Sequence, residues 1–279
     1  MNFLSKAALL AGGVALAVKA LDTRLETTYY KIQSPHIPES FDGFRIVHLS
    51  DYHNDIVPQL VTEVRDEAPD LILCTGDMAD DEGTYHPAVR LIEKLTKIAP
   101  CLMVTGNHDV WRSDFDDMEK EMNACGAEFL HNEQRFIQRG DDRISICGID
   151  DPYLCTEQKV KTFIKKSAEA VSGFDGFEIA LFHRANLLDE LTGYGFDLIL
   201  SGHMHGGHMR IPGIGGIAAP RTSWQEGDSI LFPRYFGGRF ENDGTTMIVN
   251  RGLGNPMIIP RVFNRPEMVV ITLKSKKTT

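Results

Sequence analysis

The sequence predicts an α/β fold of two mixed β-sheets packed face to face with helices on their outer surfaces, and three observations carry that reading. First, short apolar runs recur: Ile46-Val47-His48-Leu49, Leu71-Ile72-Leu73-Cys74, Leu102-Met103-Val104, Ile179-Ala180-Leu181-Phe182 and Leu198-Ile199-Leu200. Runs this short, bounded by Gly, Asp or Asn, read as buried strands. Second, helix-spaced apolar residues at 57–67, 87–98 and 113–125 follow the first three runs in turn. Helices between successive parallel strands are what right-handed crossovers require. Third, the later chain changes texture, to short strands with tight connections at Phe136-Ile137, Ile144-Ser145-Ile146-Cys147, Met209-Arg210-Ile211, Met247-Ile248-Val249 and Val269 to Leu273.

In chain order, residues 1–21 stand apart. Ala7 through Val18 is an unbroken run of Ala, Leu, Gly and Val between Lys6 and Lys19. It suits the apolar core of a signal peptide, with Val18-Lys19-Ala20 as a small-residue cleavage site. From Phe3 to Leu21 the segment reaches about 28 Å as a helix, close to a ~30 Å hydrocarbon core. The expectation is an uncleaved N-terminal anchor on a membrane-associated protein, with export after signal cleavage as the alternative. Lys6 is opposed by Lys19 and Arg24, so charge does not choose an orientation. The strand-like stretch Thr27 to Ile32 opens one catalytic unit, residues 22–279. Ser113, followed by Asp114, Asp116 and Asp117, reads as the N-cap of the third helix.

Each buried run ends by delivering polar groups. The islands are Asp51-Tyr52-His53, Gly76-Asp77-Met78-Ala79-Asp80, Gly106-Asn107-His108-Asp109, His183 and Gly202-His203-Met204-His205. Ligands of open α/β sheets gather outside the carboxyl ends of the strands. Asp oxygen, neutral imidazole and Asn carbonyl suit divalent ions such as Mn, Fe, Zn or Ni. Two such ions, about 3.5–4 Å apart, need a bridging carboxylate and roughly three further ligands each. The islands hold that inventory.

These islands resemble the signature of the calcineurin-like metallophosphoesterase superfamily, from about Phe44 to Leu273. The resemblance implies the four-layer α/β/β/α sandwich of that fold. It also implies a centre of two divalent transition-metal ions. Asp51, His53 and His205 would hold one ion, Asn107, His183 and His203 the other, and Asp77 would bridge them. His108 matches the family's substrate-facing histidine, and Asp80 the carboxylate that orients a ligand imidazole. The tail, Asn250-Arg251-Gly252-Leu253-Gly254 and then Arg261 to Glu267, resembles a membrane-associated bacterial branch (YkuE/YaeI-like). Some relatives of that branch hydrolyse UDP-2,3-diacylglucosamine. The chain departs from the common pattern at Tyr52, at Asn54-Asp55 and at Arg184-Ala185 after His183.

A Gly- and Pro-rich stretch, 212–244, interrupts the alternation and holds Arg221, Arg234 and Arg239 beside Trp224, Phe232, Tyr235 and Phe236. Its place after His205 and His208 makes it a candidate substrate-facing loop over the site. A net charge of −10 and a pI near 5.5 argue against a nucleic-acid-coating surface. The five Cys lack a C-x-x-C pair and read as small buried hydrophobes. The expected activity is hydrolysis of a phosphoester or pyrophosphate by metal-activated hydroxide, on a small-molecule or lipid-linked phosphate at a membrane. The alternative is a soluble nucleotide or general phosphoesterase, and a silent scaffold on the same fold ranks lower.

Overall fold

The apolar runs become strands nearly residue for residue in the computed structural model, which describes residues 3–153, 155–218, 220, 231–256 and 259–276. In chain order these are β1 (Glu26–Ser34), β2 (Arg45–Leu49), β3 (Leu71–Cys74), β4 (Cys101–Met103), β5 (Ala127–Phe129), β6 (Gln134–Arg139) and β7 (Asp142–Ile149). There follow β8 (Glu178–Arg184), β9 (Leu198–Gly202), β10 (Arg210–Ile211), β11 (Gly215–Gly216), β12 (Gly238–Asn242), β13 (Thr245–Val249) and β14 (Glu267–Ser275). One six-stranded sheet has the order β1-β14-β2-β3-β4-β5 and the other β12-β13-β9-β8-β7-β6, with β10-β11 as a separate pair. The neighbours β2-β3-β4-β5 are parallel, as are β7-β8-β9-β13, whereas β14 is antiparallel to β2 and β6 to β7. Both sheets are therefore mixed.

Alternation along each strand then builds the layers, because successive side chains point to opposite faces. Ile46, Leu71, Leu73 and Leu102 meet Ile146, Ile179, Leu181, Leu198 and Leu200 in a core between the sheets. Their neighbours Val47, Leu49, Ile72, Cys74 and Met103 point outward, under α2 (Leu60–Asp66), α3 (His86–Leu95) and α5 (Phe115–Ala124). On the other sheet Cys147, Ile149, Ala180, Phe182 and Ile199 pack under α6 (Glu157–Val171) and the 3-10 segment Ala185–Leu191. Covering both faces of each sheet is what makes the strands apolar without a polar side. The result is the four-layer α/β/β/α sandwich.

Several local expectations change. Asp114, not Ser113, occupies the N-cap of α5, and it makes no side-chain cap bond. Arg112 takes its carboxylate instead, at 2.9 and 3.0 Å. Two helices the alternation did not place are α4 (Asn107–Trp111), inside the Gly-Asn-His-Asp island, and α6. The N-terminal segment forms α1 (Phe3–Ala20), and the Phe263 amide donates to the Ala20 carbonyl at 2.7 Å, which ties the end of the helix to the catalytic unit. Among the described residues no helix is long and apolar enough to cross a membrane, so the expected spanning anchor gains no support from the fold.

At the far edge of the first sheet His131 lies flat on Phe129 and bridges Glu119 and Asp150, each at 2.9 Å. The Asp150 side chain, with help from Glu119 and against burial, pushes its pKa up to about 9. A folded pKa above the unfolded value of about 6.5 means the bridge stabilises fully below pH ~6.5 and is lost as pH rises through about 9. Denaturant melts of the wild type and His131→Gln should therefore differ most below pH 6.5 and converge toward pH ~9.5. A gap that stays constant over that range would show that the bridge contributes nothing to stability.

Candidate metal centre

Parallel strands of both sheets aim their carboxyl ends at one junction. Asp51 and His53 follow β2, Asp77 follows β3, Asn107 follows β4, His183 closes β8, and His203 and His205 follow β9. The turns are tight enough that Asp51, His53, Asp77, His203 and His205 all adopt positive φ, between 46° and 71°. Left-handed backbone at a residue with a Cβ costs on the order of 1–3 kcal/mol and gathers at functional sites. Close approach also demands glycine. A Cβ on Gly106 would strike the Asp77 carboxylate and amide, and one on Gly202 would strike Ser50 and Asp51.

The turns bring together two buried groups, Asp51 with His53 and His205, and Asp77 with His183 and His203, the ligand atoms of each lying within 4.8 Å of one another. Asp77 Oδ2 reaches both, at 3.1 Å from His183 Nε2 and 3.6 Å from His53 Nε2. Asn107 Oδ1 joins the second group at 3.2 Å from His183 Nε2. The donor set also passes a test of fit. His53 Nε2, Asp77 Oδ2 and His203 Nε2 are buried without hydrogen-bond partners. Orphaned buried nitrogens and a carboxylate oxygen, converging on one volume, are what a pair of cations would satisfy.

Burial and neighbouring charge pull the imidazoles of the two clusters in different directions. Burial holds His203 and His205 well below the ordinary imidazole range, so both are neutral, the form that binds a metal. Burial also raises Asp51. Burial disfavours charge on both Asp77 and His183, but their mutual attraction wins. His183 is lifted to about 10 and Asp77 is held well below the carboxylate range. The His183 Nδ1–H donates to the Thr75 carbonyl at 2.7 Å, which fixes Nε2 toward the centre.

Sequence reading missed the groups that hold this constellation in place. Asp109, buried in α4, accepts from the amides of Asp77 at 2.7 Å, Gly106 at 3.0 Å and Ala79 at 3.2 Å, and so welds two islands together. Burial, then the Asp77 charge, pushes its pKa up to about 6. Asn264 donates to the carbonyls of His205 and His208, at 2.6 and 3.0 Å. Arg261, buried and lowered to about 10 by that burial, donates to the Arg251 carbonyl at 2.8 Å and stands 3.4 Å from His205 Nδ1. Asn250 donates to the His48 carbonyl and accepts from Gly252. Their signal was the polar spacing of the tail. Arg184, a departure from the common pattern, pairs with buried Asp151 at 2.6 Å.

The remaining expected residues divide. His108 lies at the rim, with Nδ1 at 3.0 Å from Asp80 and 2.9 Å from Asp81, and its ring stands edge-on to His53. Asp80 also approaches His53 Nδ1 at 3.5 Å, so it touches a ligand imidazole and the rim histidine together. Among the loop arginines, Arg234 pairs with Asp189 at 2.9 Å and Arg239 with Glu241 at 2.7 Å, so both are engaged away from the ligand clusters. Arg221 and Trp224 lie outside the described residues. Tyr235 is buried and bonded to Asp189 at 2.5 Å, which makes it a core residue. His208 sits in a turn, with φ of 55°, and its Nε2 donates to the Ile259 carbonyl at 2.8 Å. Near it the described part of the 212–244 stretch packs beside the His205 turn, with Ile217 donating to Met209 at 2.7 Å and Ala218 to Gly207 at 3.1 Å.

Comparison with known proteins agrees with this geometry. The calcineurin-like phosphoesterase profile matches residues 44–207, and the chain belongs to that family, as a metal-dependent phosphoesterase. It is 33% identical to the Bacillus subtilis metallophosphoesterase YkuE, over 98% of this chain and 94% of that protein. It is 24% identical to the Escherichia coli phosphodiesterase YaeI, over 82% of each. A Danio rerio transmembrane protein with a metallophosphoesterase domain is 27% identical over 85% of this chain and 55% of its own length.

Purified protein is expected to carry up to two transition-metal ions per chain and to lose activity in EDTA. Asp77→Ala should abolish occupancy of both positions, because one carboxylate serves both clusters. Elemental analysis decides: less than about half an equivalent of metal with full activity in EDTA would sink the assignment.

Proposed function

We propose that the chain is a dinuclear phosphohydrolase that cleaves a phosphodiester or pyrophosphate, acting on a lipid-linked phosphate close to a membrane. The observation that carries the reading is Asp77, placed between two buried His/Asp clusters with His108 on their rim. When bound, two ions from the group Mn, Fe, Zn and Ni would polarise the phosphoryl group and bring the pKa of water between them toward neutrality. The chain's own residues do the rest. Asp51, His53 and His205 would hold one ion, and Asn107, His183 and His203 the other. His108, carrying a proton on each ring nitrogen, donates Nδ1–H to Asp80 and Asp81 and presents Nε2–H to the substrate, where it stabilises developing charge or gives that proton to the leaving oxygen. Closed packing around Asp77 keeps bulk water from competing.

Two features favour a diester or pyrophosphate at a membrane: the phosphodiesterase name of the YaeI relative, and the apolar N-terminal segment. A soluble nucleotide phosphoesterase is the second reading, supported by the same site without the N-terminal segment. A silent scaffold is disfavoured because the full ligand set converges in space.

His108→Ala should retain the metals and lower kcat by about two to four orders of magnitude, as loss of an acid or charge-stabilising group does. Normal turnover with an emptied metal position would instead make His108 a ligand. A second expectation concerns substrate. Deleting residues 1–21 should leave turnover of bis(p-nitrophenyl) phosphate unchanged and depress cleavage of a lipid-linked pyrophosphate in vesicles. Full-length protein recovered wholly in the soluble fraction of cells, with equal rates on both substrates, would rule out the membrane reading and leave the soluble one.

A further inference from the structure

Beside the rim histidine the fold leaves a second cavity that the chemistry above does not use. It has a volume of about 230 Å³ and lies between the turn after β4, the start of α5 and the segment after β7. Val110, Phe115, Pro152, Tyr153, Cys155 and Phe163 supply its apolar wall. Thr105, two residues before Asn107, lines it too, so cavity and metal centre share the β4 turn. A pair of half-exposed aromatic rings joins them at the surface. Trp111 lies 4.8 Å from the His108 ring, and Tyr153 lies 6.3 Å from Trp111, with 44% and 37% of their surface exposed. Large exposed aromatics next to a catalytic rim and an apolar recess are the usual elements of a recognition site.

The charged groups in the wall define what can enter. Asp151 is buried and spent on Arg184, at 2.6 and 3.2 Å. Asp150 accepts from Asn132 at 2.9 Å and from Thr105 at 3.2 Å, and shares His131 with Glu119. Counting these partners, the wall carries one more carboxylate than cation. It repels a second phosphate or any anionic arm. The volume is also below the roughly 300–1,000 Å³ of sites that enclose drug-sized ligands. It is enough for one aromatic ring or a short run of alkyl carbons.

We infer that this cavity is a subsite for an uncharged, apolar arm carried on the phosphorus of the substrate, an aryl group or the first carbons of an alkyl or acyl chain. The inference rests on the dinuclear reading above and adds to it the chemical class of one substituent. Trp111 and Tyr153 guide the arm past His108, and Val110, Phe115 and Phe163 enclose it.

The test compares binding of phenylphosphonate and methylphosphonate to metal-reconstituted full-length protein by calorimetry. The phenyl compound should bind about tenfold more tightly, the scale set by burying one ring. In Cys155→Trp, which fills the recess, and in Tyr153→Ala, which removes a wall, that ratio should fall to about two or less. A measurement on the wild-type protein stands independent of folding of the variants: phenylphosphonate, unlike methylphosphonate, should slow alkylation of Cys155 read by mass spectrometry. Equal affinity for the two phosphonates, or a ratio and alkylation rate indifferent to the phenyl group, would overturn the subsite and leave the metal centre standing. Failure of both phosphonates to bind would overturn the dinuclear reading and the subsite with it.

Discussion

The Asp77 carboxylate is the interaction on which the rest of this architecture depends. One oxygen accepts the His108 amide at 2.8 Å, and the other faces His183 Nε2 at 3.1 Å and His53 Nε2 at 3.6 Å. A buried carboxylate in that position is costly unless positive charge answers it. His183 does so in the metal-free protein, and cations would do so more completely. Asp109 makes the arrangement rigid. By binding the amides of Asp77, Ala79 and Gly106 it fixes the distance between the β3 and β4 turns. Those turns carry Asp77 and Asn107, so the spacing between the two side chains rests on three hydrogen bonds to a single carboxylate.

The two-sheet core makes such a site sustainable. Five ligand residues in left-handed backbone and a cluster of partner-poor imidazoles together oppose folding. The strands beneath them are fully buried on both faces and offset that cost through apolar burial. Strain is concentrated where the strands end and stability where they run. The C-terminal tail packs on the site from outside: Asn250 donates to the backbone of β2, Asn264 to the β9 turn, and Arg261 to the tail's own Arg251 carbonyl while standing beside His205. Second-layer contacts of this kind orient ligands as strongly as the ligands' own geometry does.

The surroundings of the rim histidine differ in character from the metal-ligand clusters. The rim histidine looks toward Asp80 and Asp81 on one side and toward Trp111 on the other. The loop arginines that sequence composition suggested as phosphate clamps, where described, are paired with Asp189 and Glu241 instead. The proposed subsite for an apolar arm lies on the aromatic and apolar surface beside His108.

The strands, the four layers and the Asp, His and Asn residues that converge at the strand ends were legible in the residues, because strand period and side-chain chemistry are local properties. Ile46, Leu71 and Leu198 alternate with their neighbours, and each ligand follows its run within a few positions. Asp109, Arg261, Asn264 and the true cap of α5 were not legible, nor were the engaged states of Arg234 and Arg239. Each depends on a partner fixed only by folding, as when the His203 amide meets the Asp51 carboxylate across 152 residues of chain. The same holds for the cavity at Val110 and Phe163, whose walls come from segments with no sequence relation to one another. The sequence by itself determined which atoms are available to bind metal and at which strand ends they emerge. The tertiary structure alone decided which of them share a volume and which polar groups hold them there, because hydrogen bonds and burial are settled between distant segments and not along one.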